Sequence, residues 1–162
     1  MAMCFSTSCG PARQSNKFID EINGAKVKAR NLAEEAERKR TKARDSGDRT
    51  EHDKLIDEAA ELYAQASDAL NEAAKNSKDM AKVKNPEWYD EYFTLQSKLI
   101  DNLAQLATGA HDELLARKNS APTDSQLQSW KEHINRIRKE NEDLRAQISA
   151  IEAQQGIVLI KE

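Results

Sequence analysis

Hydrophobic residues return along this chain at intervals of three and four, the period of one face of an α-helix rather than of a strand. The pattern is most regular between Leu127 and Ile151. Leu127, Ile134, Asn141 and Ile148 fall at position a of a heptad, and Trp130, Ile137, Leu144 and Ile151 fall at d. Seven of these eight are large and apolar, and nearly everything between them is polar, so the stretch is expected to form a coiled coil. Asn141 can pair with its own copy across a parallel dimer. In other registers it is buried without a partner, so it selects one arrangement at a cost in stability. Glu140 at g and Arg145 at the following e meet across the same parallel interface. His133 and Arg138 occupy the equivalent sites one heptad earlier without comparable attraction. These residues predict an oligomer interface, and the alternative is one helix of an intramolecular antiparallel bundle.

The rest of the chain carries looser versions of the same period. A first helix is expected from Ser15 or Asn16, with the stripe Phe18, Ile22, Ala25, Ala29, Leu32 and Ala36. Gly24 within it would admit a close neighbour, and Asp45-Ser46-Gly47-Asp48 would end it. A second helix is expected from Thr50, where Thr50-Glu51-His52-Asp53 resembles a capping box. Its seam is Leu55, Ala59, Leu62, Ala66, Ala69 and Ala73, and it should fray from Lys75 and stop before Asn85-Pro86. The third helix opens on Pro86 and the aromatic cluster Trp88, Tyr89, Tyr92 and Phe93, expected to plug the core. Leu95, Leu99, Leu103 and Leu106 then make it the most hydrophobic helix. The stretch Ser120–Ser125 reads as a linker, with Thr123 or Asp124 capping the last helix.

These readings predict an all-α protein: a helical bundle of three long helices over residues 15–119 plus a C-terminal coiled-coil helix over 127–155. A flexible N-terminal tail (1–14), a linker (120–126) and a hydrophobic C-terminal tail (156–162) complete the organisation. A compact four-helix bundle is the alternative. In the tail, Ile157, Val158, Leu159 and Ile160 are four successive aliphatics that should not hang in water. Folding back on the bundle, pairing as a short strand and entering a partner's groove all remain open, which makes them a candidate partner-binding tail.

Composition changes this picture little. One third of the 162 residues are charged and 5% are aromatic, which suits long exposed helices and not a sheet. The net charge of -3 hides an asymmetry: ten Lys/Arg against six Asp/Glu up to Gly47, and fifteen against twenty-two after it. Arg38, Lys39, Arg40, Lys42 and Arg44 therefore form a possible basic patch, although cations at a helix C-terminus are expected from the helix dipole alone. Nucleic acid or an anionic membrane is accordingly disfavoured as a partner. Cys4 and Cys9 would close only a tiny loop and read as free thiols, in a reducing compartment. The absence of a signal core or long apolar span predicts a cytoplasmic protein, or one housed inside a virion.

No catalytic, cofactor-binding or metal-binding residues emerge, and no cofactor is expected. His52, His111 and His133 lie apart, and none is preceded three residues earlier by Glu. Gly-rich phosphate loops, His-Glu-x-x-His and Gly-x-Ser-x-Gly are missing, so no enzyme is predicted. A basic zipper is excluded by the Pro-containing linker before the heptads. The run Ala59–Ala74 looks like the Ala-rich hairpins of tetratricopeptide and microtubule-interacting modules, without a 34-residue repeat. In composition the chain is similar in style to internal or ejection proteins of short-tailed phages. The predicted function is non-enzymatic protein–protein interaction or structure, with self-association through a parallel coiled coil as a homodimer or higher oligomer. Alternatives are a monomeric adaptor, regulatory or immunity-type module binding another protein, a phage internal or ejection-type protein, or a nucleic-acid or membrane-surface accessory.

Overall fold

The computed structural model describes residues 10–82 and 87–155. They form four helices, α1 (Gly10–Asp45), α2 (Arg49–Ala81), α3 (Glu87–Asn119) and α4 (Asp124–Gln155), and no strand among the described residues. The protein is all-α and its four helices make a bundle. Cys4, Cys9, Asn85, Pro86, Gly156 and the aliphatic run Ile157–Ile160 lie outside the described residues, as does the side chain of Phe18.

Short connections make neighbouring helices antiparallel. Lys39 Nζ meets Glu58 at 2.5 Å between α1 and α2, Ser77 Oγ donates to the Phe93 carbonyl at 2.9 Å between α2 and α3, and the Tyr92 hydroxyl donates to Glu152 at 3.3 Å between α3 and α4. The α1/α2 and α2/α3 contacts are extensive, the α3/α4 contact is sparser, and among the described residues no other pair of helices packs broadly. Alanine explains the first of these. Ala29, Ala36 and Ala43 recur every seventh residue on α1, as do Ala59, Ala66 and Ala73 on α2, and all six are at most 3% exposed. Ala36 and Ala43 cluster with Ala59 and Ala60 near the α1/α2 turn, while Ala29 clusters with Ala66, Ala69 and Ala73 further along. Small side chains let the axes approach, and contact along many turns compensates for the little area buried at each.

Larger side chains fill the space between α2 and α3. Phe93, Met80 and Ile100 are the largest that are wholly enclosed. Two buried hydroxyls bridge the same interface: Ser77 bonds the Phe93 carbonyl, and Ser97 Oγ donates to the Ala74 carbonyl at 3.3 Å. Each satisfies a hydroxyl that would otherwise be costly to bury.

Several boundaries differ from expectation, each for a local reason. Helix α1 begins at Gly10, not at Ser15 or Asn16. Pro11 is tolerated there because a first-turn N–H has no intrahelical partner to lose. The cap of α2 is Asp48, whose carboxylate accepts from the Thr50 and Glu51 amides at 2.7 and 3.1 Å, so Thr50 is already helical. Helix α2 does not fray from Lys75 but continues to Ala81, held by buried Ser77 and Met80. Helix α4 starts at Asp124, which shortens the predicted 120–126 linker. Thr123 Oγ1 accepts from the Gln126 amide at 3.3 Å and Gln126 Oε1 accepts from the Thr123 amide at 2.9 Å, a reciprocal capping box.

Gly24 does not admit a close neighbour. A Cβ at Gly24 or at Gly109 would meet no atom within 4 Å. Gly24→Ala and Gly109→Ala are each expected to stabilise the fold by up to about 1 kcal/mol, the helix-propensity difference. The check is the denaturant midpoint at unchanged m-value; a lower midpoint in either variant contradicts the open surroundings.

Candidate binding groove

Since α4 rests on α3 and is not packed broadly against α1, the bundle is left open along one side. A groove of about 910 Å³ follows from that gap. Ala66 and Leu70 of α2 and Leu103, Leu106 and Ala107 of α3 line it, facing Ile19, Val27 and Ala33 of α1. Ile19, Val27, Leu103 and Leu106 are only half-buried, so aliphatic surface faces the opening. The charged residues along it are Lys26, Arg30 and Asp20 from α1 and Arg145 from α4, three cations against one carboxylate. A smaller hollow of about 440 Å³ shares Arg30, Ala33 and Tyr63 with the groove and extends it towards Glu34, Glu37 and Arg38.

Tyr63 joins the two hollows. Its hydroxyl donates to the Glu37 carboxylate, and burial, reinforced by that carboxylate's charge, holds the phenol well above its ordinary range. Tyr92, at the α3/α4 contact, is pushed up to about 12 by burial and then by the charge of Glu152. Both phenols are therefore neutral donors near neutral pH, and their role is to tie helices together.

The predicted α4 seam is divided by its surroundings. Ile137, Asn141, Leu144 and Ile148 are buried within this single chain, while Leu127, Trp130, Ile134 and Ile151 are half-buried. Leu144 and Ile148 belong to the cluster that contains Tyr92, Leu95 and Leu99, so α3 covers that part of the seam. Glu140 and Arg145 are exposed, and Arg145 lines the groove. The Asn141 oxygen has no hydrogen-bond donor.

The basic patch is partly neutralised at short range. Lys39 pairs with Glu58, Arg40 with Glu37 at 3.1 Å, and Arg44 with Asp45 at 3.1 Å, while Arg38 and Lys42 are exposed. His52 and His111 each contact the neighbouring aspartate, Asp53 at 3.1 Å and Asp112 at 2.9 Å. Among the described residues no cluster of His, Cys, Asp or Glu could hold a metal ion, and no helix is long and apolar enough to cross a membrane.

No family model, curated protein or solved structure matches this chain.

The groove itself was not anticipated from sequence. Its signal is the width of the apolar face of α1: Ile19, Val27 and Ala33 stand beside the Ile22–Ala29–Ala36 stripe. A face wider than one partner helix needs is a face for a second neighbour.

Proposed function

We propose that this chain is a non-enzymatic protein–protein interaction module, and that its groove holds an apolar, acid-flanked helical segment of a partner protein. One observation carries this reading: half-buried aliphatic residues of α1 and α3 face an opening that α4 does not cover. Helix-in-groove binding uses a surface of this kind, with apolar anchors at helical spacing entering the groove. The excess of cations along it selects acidic flanks, because charges at the edge of an interface chiefly set orientation and association rate.

The probe is a fluorescent amphipathic peptide of fifteen residues with Leu anchors and Glu flanks, followed by anisotropy. Leu106→Lys is expected to weaken its binding at least roughly tenfold, because a charge replaces an aliphatic anchor contact. Arg145→Glu should mainly slow association and flatten its salt dependence. Equal binding of a Lys-flanked peptide, or no binding of either, rejects the reading.

A second reading is self-association through α4, and one observation favours it. Leu127, Trp130 and Ile134, at the start of the heptad seam, keep exposed surface on the helix least firmly packed in the bundle. In that reading Asn141 fixes the register between copies, and the solution mass of the chain decides it.

A further inference from the structure

We infer that α4 sits on α3 as a releasable arm: it leaves as one unit, and its heptad seam then pairs in parallel with the same seam of a second copy. The inference rests on self-association through α4, and it names what holds that association back. Leu144 and Ile148 cluster with Tyr92, Leu95 and Leu99 of α3, and they cannot face α3 and a second copy at once.

The seat on α3 is weakly built. Between α2 and α3 the hydroxyls of Ser67 and Thr108 lie 2.9 Å apart, and Lys78 pairs with Asp101 at 2.8 Å. The α3/α4 contact is sparser, and there the Tyr92 hydroxyl reaches Glu152 at 3.3 Å, which is long for an O–H donor. Asn141 is 4% exposed and its oxygen has no donor, so seating α4 desolvates an amide without matching it. Coverage is also incomplete: Ile137, Asn141, Leu144 and Ile148 are buried, while Leu127, Trp130, Ile134 and Ile151 keep exposed surface. Residues 120–123 join the two helices and only Pro122 among them is half-buried. Four residues span up to about 13 Å, enough for α4 to swing off while α1, α2 and α3 stay packed.

A second copy supplies what α3 does not. In a parallel pair of α4 helices every a and d residue faces its counterpart, including the four that α3 leaves half-buried. Asn141 stands at a in both copies, so the side chain of one donates to the oxygen of the other. Glu140 at g meets Arg145 at e of the second copy, and both are exposed on the seated helix, free of the contact with α3. Seating therefore competes with pairing, and the apparent affinity between copies is lowered by the fraction of chains whose α4 is released.

The first test is amide hydrogen exchange on the full chain in dilute solution. Protection factors from Ile134 to Ile148 are expected to agree with one another and to lie at least roughly tenfold below those from Ala59 to Ala73 of α2, as for a unit that opens before the rest. Tyr92→Phe keeps the ring, removes the hydroxyl and should speed exchange in α4 alone. A middle of α4 as protected as α2, or an equal rise in all four helices of Tyr92→Phe, overturns the inference.

The second test is solution mass against concentration, by sedimentation. The native chain is expected to be single when dilute and to double in mass on concentration, with Tyr92→Phe doubling at a lower concentration. Glu140→Lys sets like charges against each other at both rims of the pair and should raise the concentration needed roughly tenfold. Adding Arg145→Glu to it restores opposite charges and should bring the pairing back. A dimer indifferent to this exchange of charges is not the parallel seam, and overturns the assigned occupant. The two proposals fail separately. Release of α4 in a chain that stays single at every concentration rejects self-association and leaves the release standing. A chain already doubled when dilute, with α4 as protected as α2, does the reverse.

Discussion

Replacing Phe93 by Ala is expected to lower the unfolding free energy by about 3–5 kcal/mol, the range for removing a buried aromatic from a core. Phe93 is 1% exposed, and its ring lies 5.3 Å from Tyr92 in an edge-on contact and 5.4 Å from Tyr89 in a tilted one. Its carbonyl also accepts the Ser77 hydroxyl from α2. The backbone bond survives truncation of the side chain, but a cavity opens where the end of α2 meets the start of α3. Little is available to collapse into it, because the α2 residues nearby are largely alanines already in contact, with Ser77 and Met80 fully enclosed. A loss of this size is a large part of the stability of a single domain. Chemical denaturation followed by circular dichroism measures it. Trp88→Ala, at a half-buried ring against the same cluster, should cost clearly less. Equal costs at the two positions would mean that the cluster acts as a surface cap and not as the closure of the core.

The aromatic cluster was legible in the sequence because its chemistry leaves little choice: four rings within six residues at a helix start must be covered. Helix number and the apolar faces were legible for a similar reason, since a 3.6-residue period is a property of each helix alone. What periodicity does not encode is the identity of the neighbour. Leu144 and Ile148 satisfy a heptad seam equally well against a second copy or against Leu95 and Leu99 of α3, and in this structure α3 covers them. The groove was hidden for the converse reason. It arises because α1 and α4 do not pack broadly among the described residues, and no residue pattern announces a contact that stays narrow. Helix starts were misplaced by a few residues where two caps competed. Asp48 and Thr50 both have side chains able to cap α2, and the carboxylate two residues earlier takes the Thr50 and Glu51 amides.

Asn141→Val is expected to stabilise the protein by about 1–3 kcal/mol, the cost of a buried polar atom that lacks a partner. Asn141 is 4% exposed, and its side-chain oxygen receives no donor. Tyr92 and Glu152 set the register of the antiparallel α3/α4 pair, and ten residues further along α3 this brings Asn102 level with Glu142, one residue from Asn141. Asn102 is itself 7% exposed, with its side-chain nitrogen lacking an acceptor. Two amides at neighbouring levels of α3 and α4 therefore have unmet needs, and the α3/α4 contact is sparser than α1/α2 or α2/α3. Valine removes one of them and adds apolar surface against α3, while β-branching costs the helix little relative to Asn. Light scattering on the same variant separates the two readings of α4. With the seam seated on α3, the melting temperature rises and the solution mass stays that of one chain before and after the substitution. With the seam paired between copies, the parent has twice that mass and the variant, having lost the residue that fixes register, spreads over several oligomeric states. A variant that melts lower than its parent at unchanged mass would mean that Asn141 is hydrogen-bonded where it sits, and would remove it from the weak points of the fold.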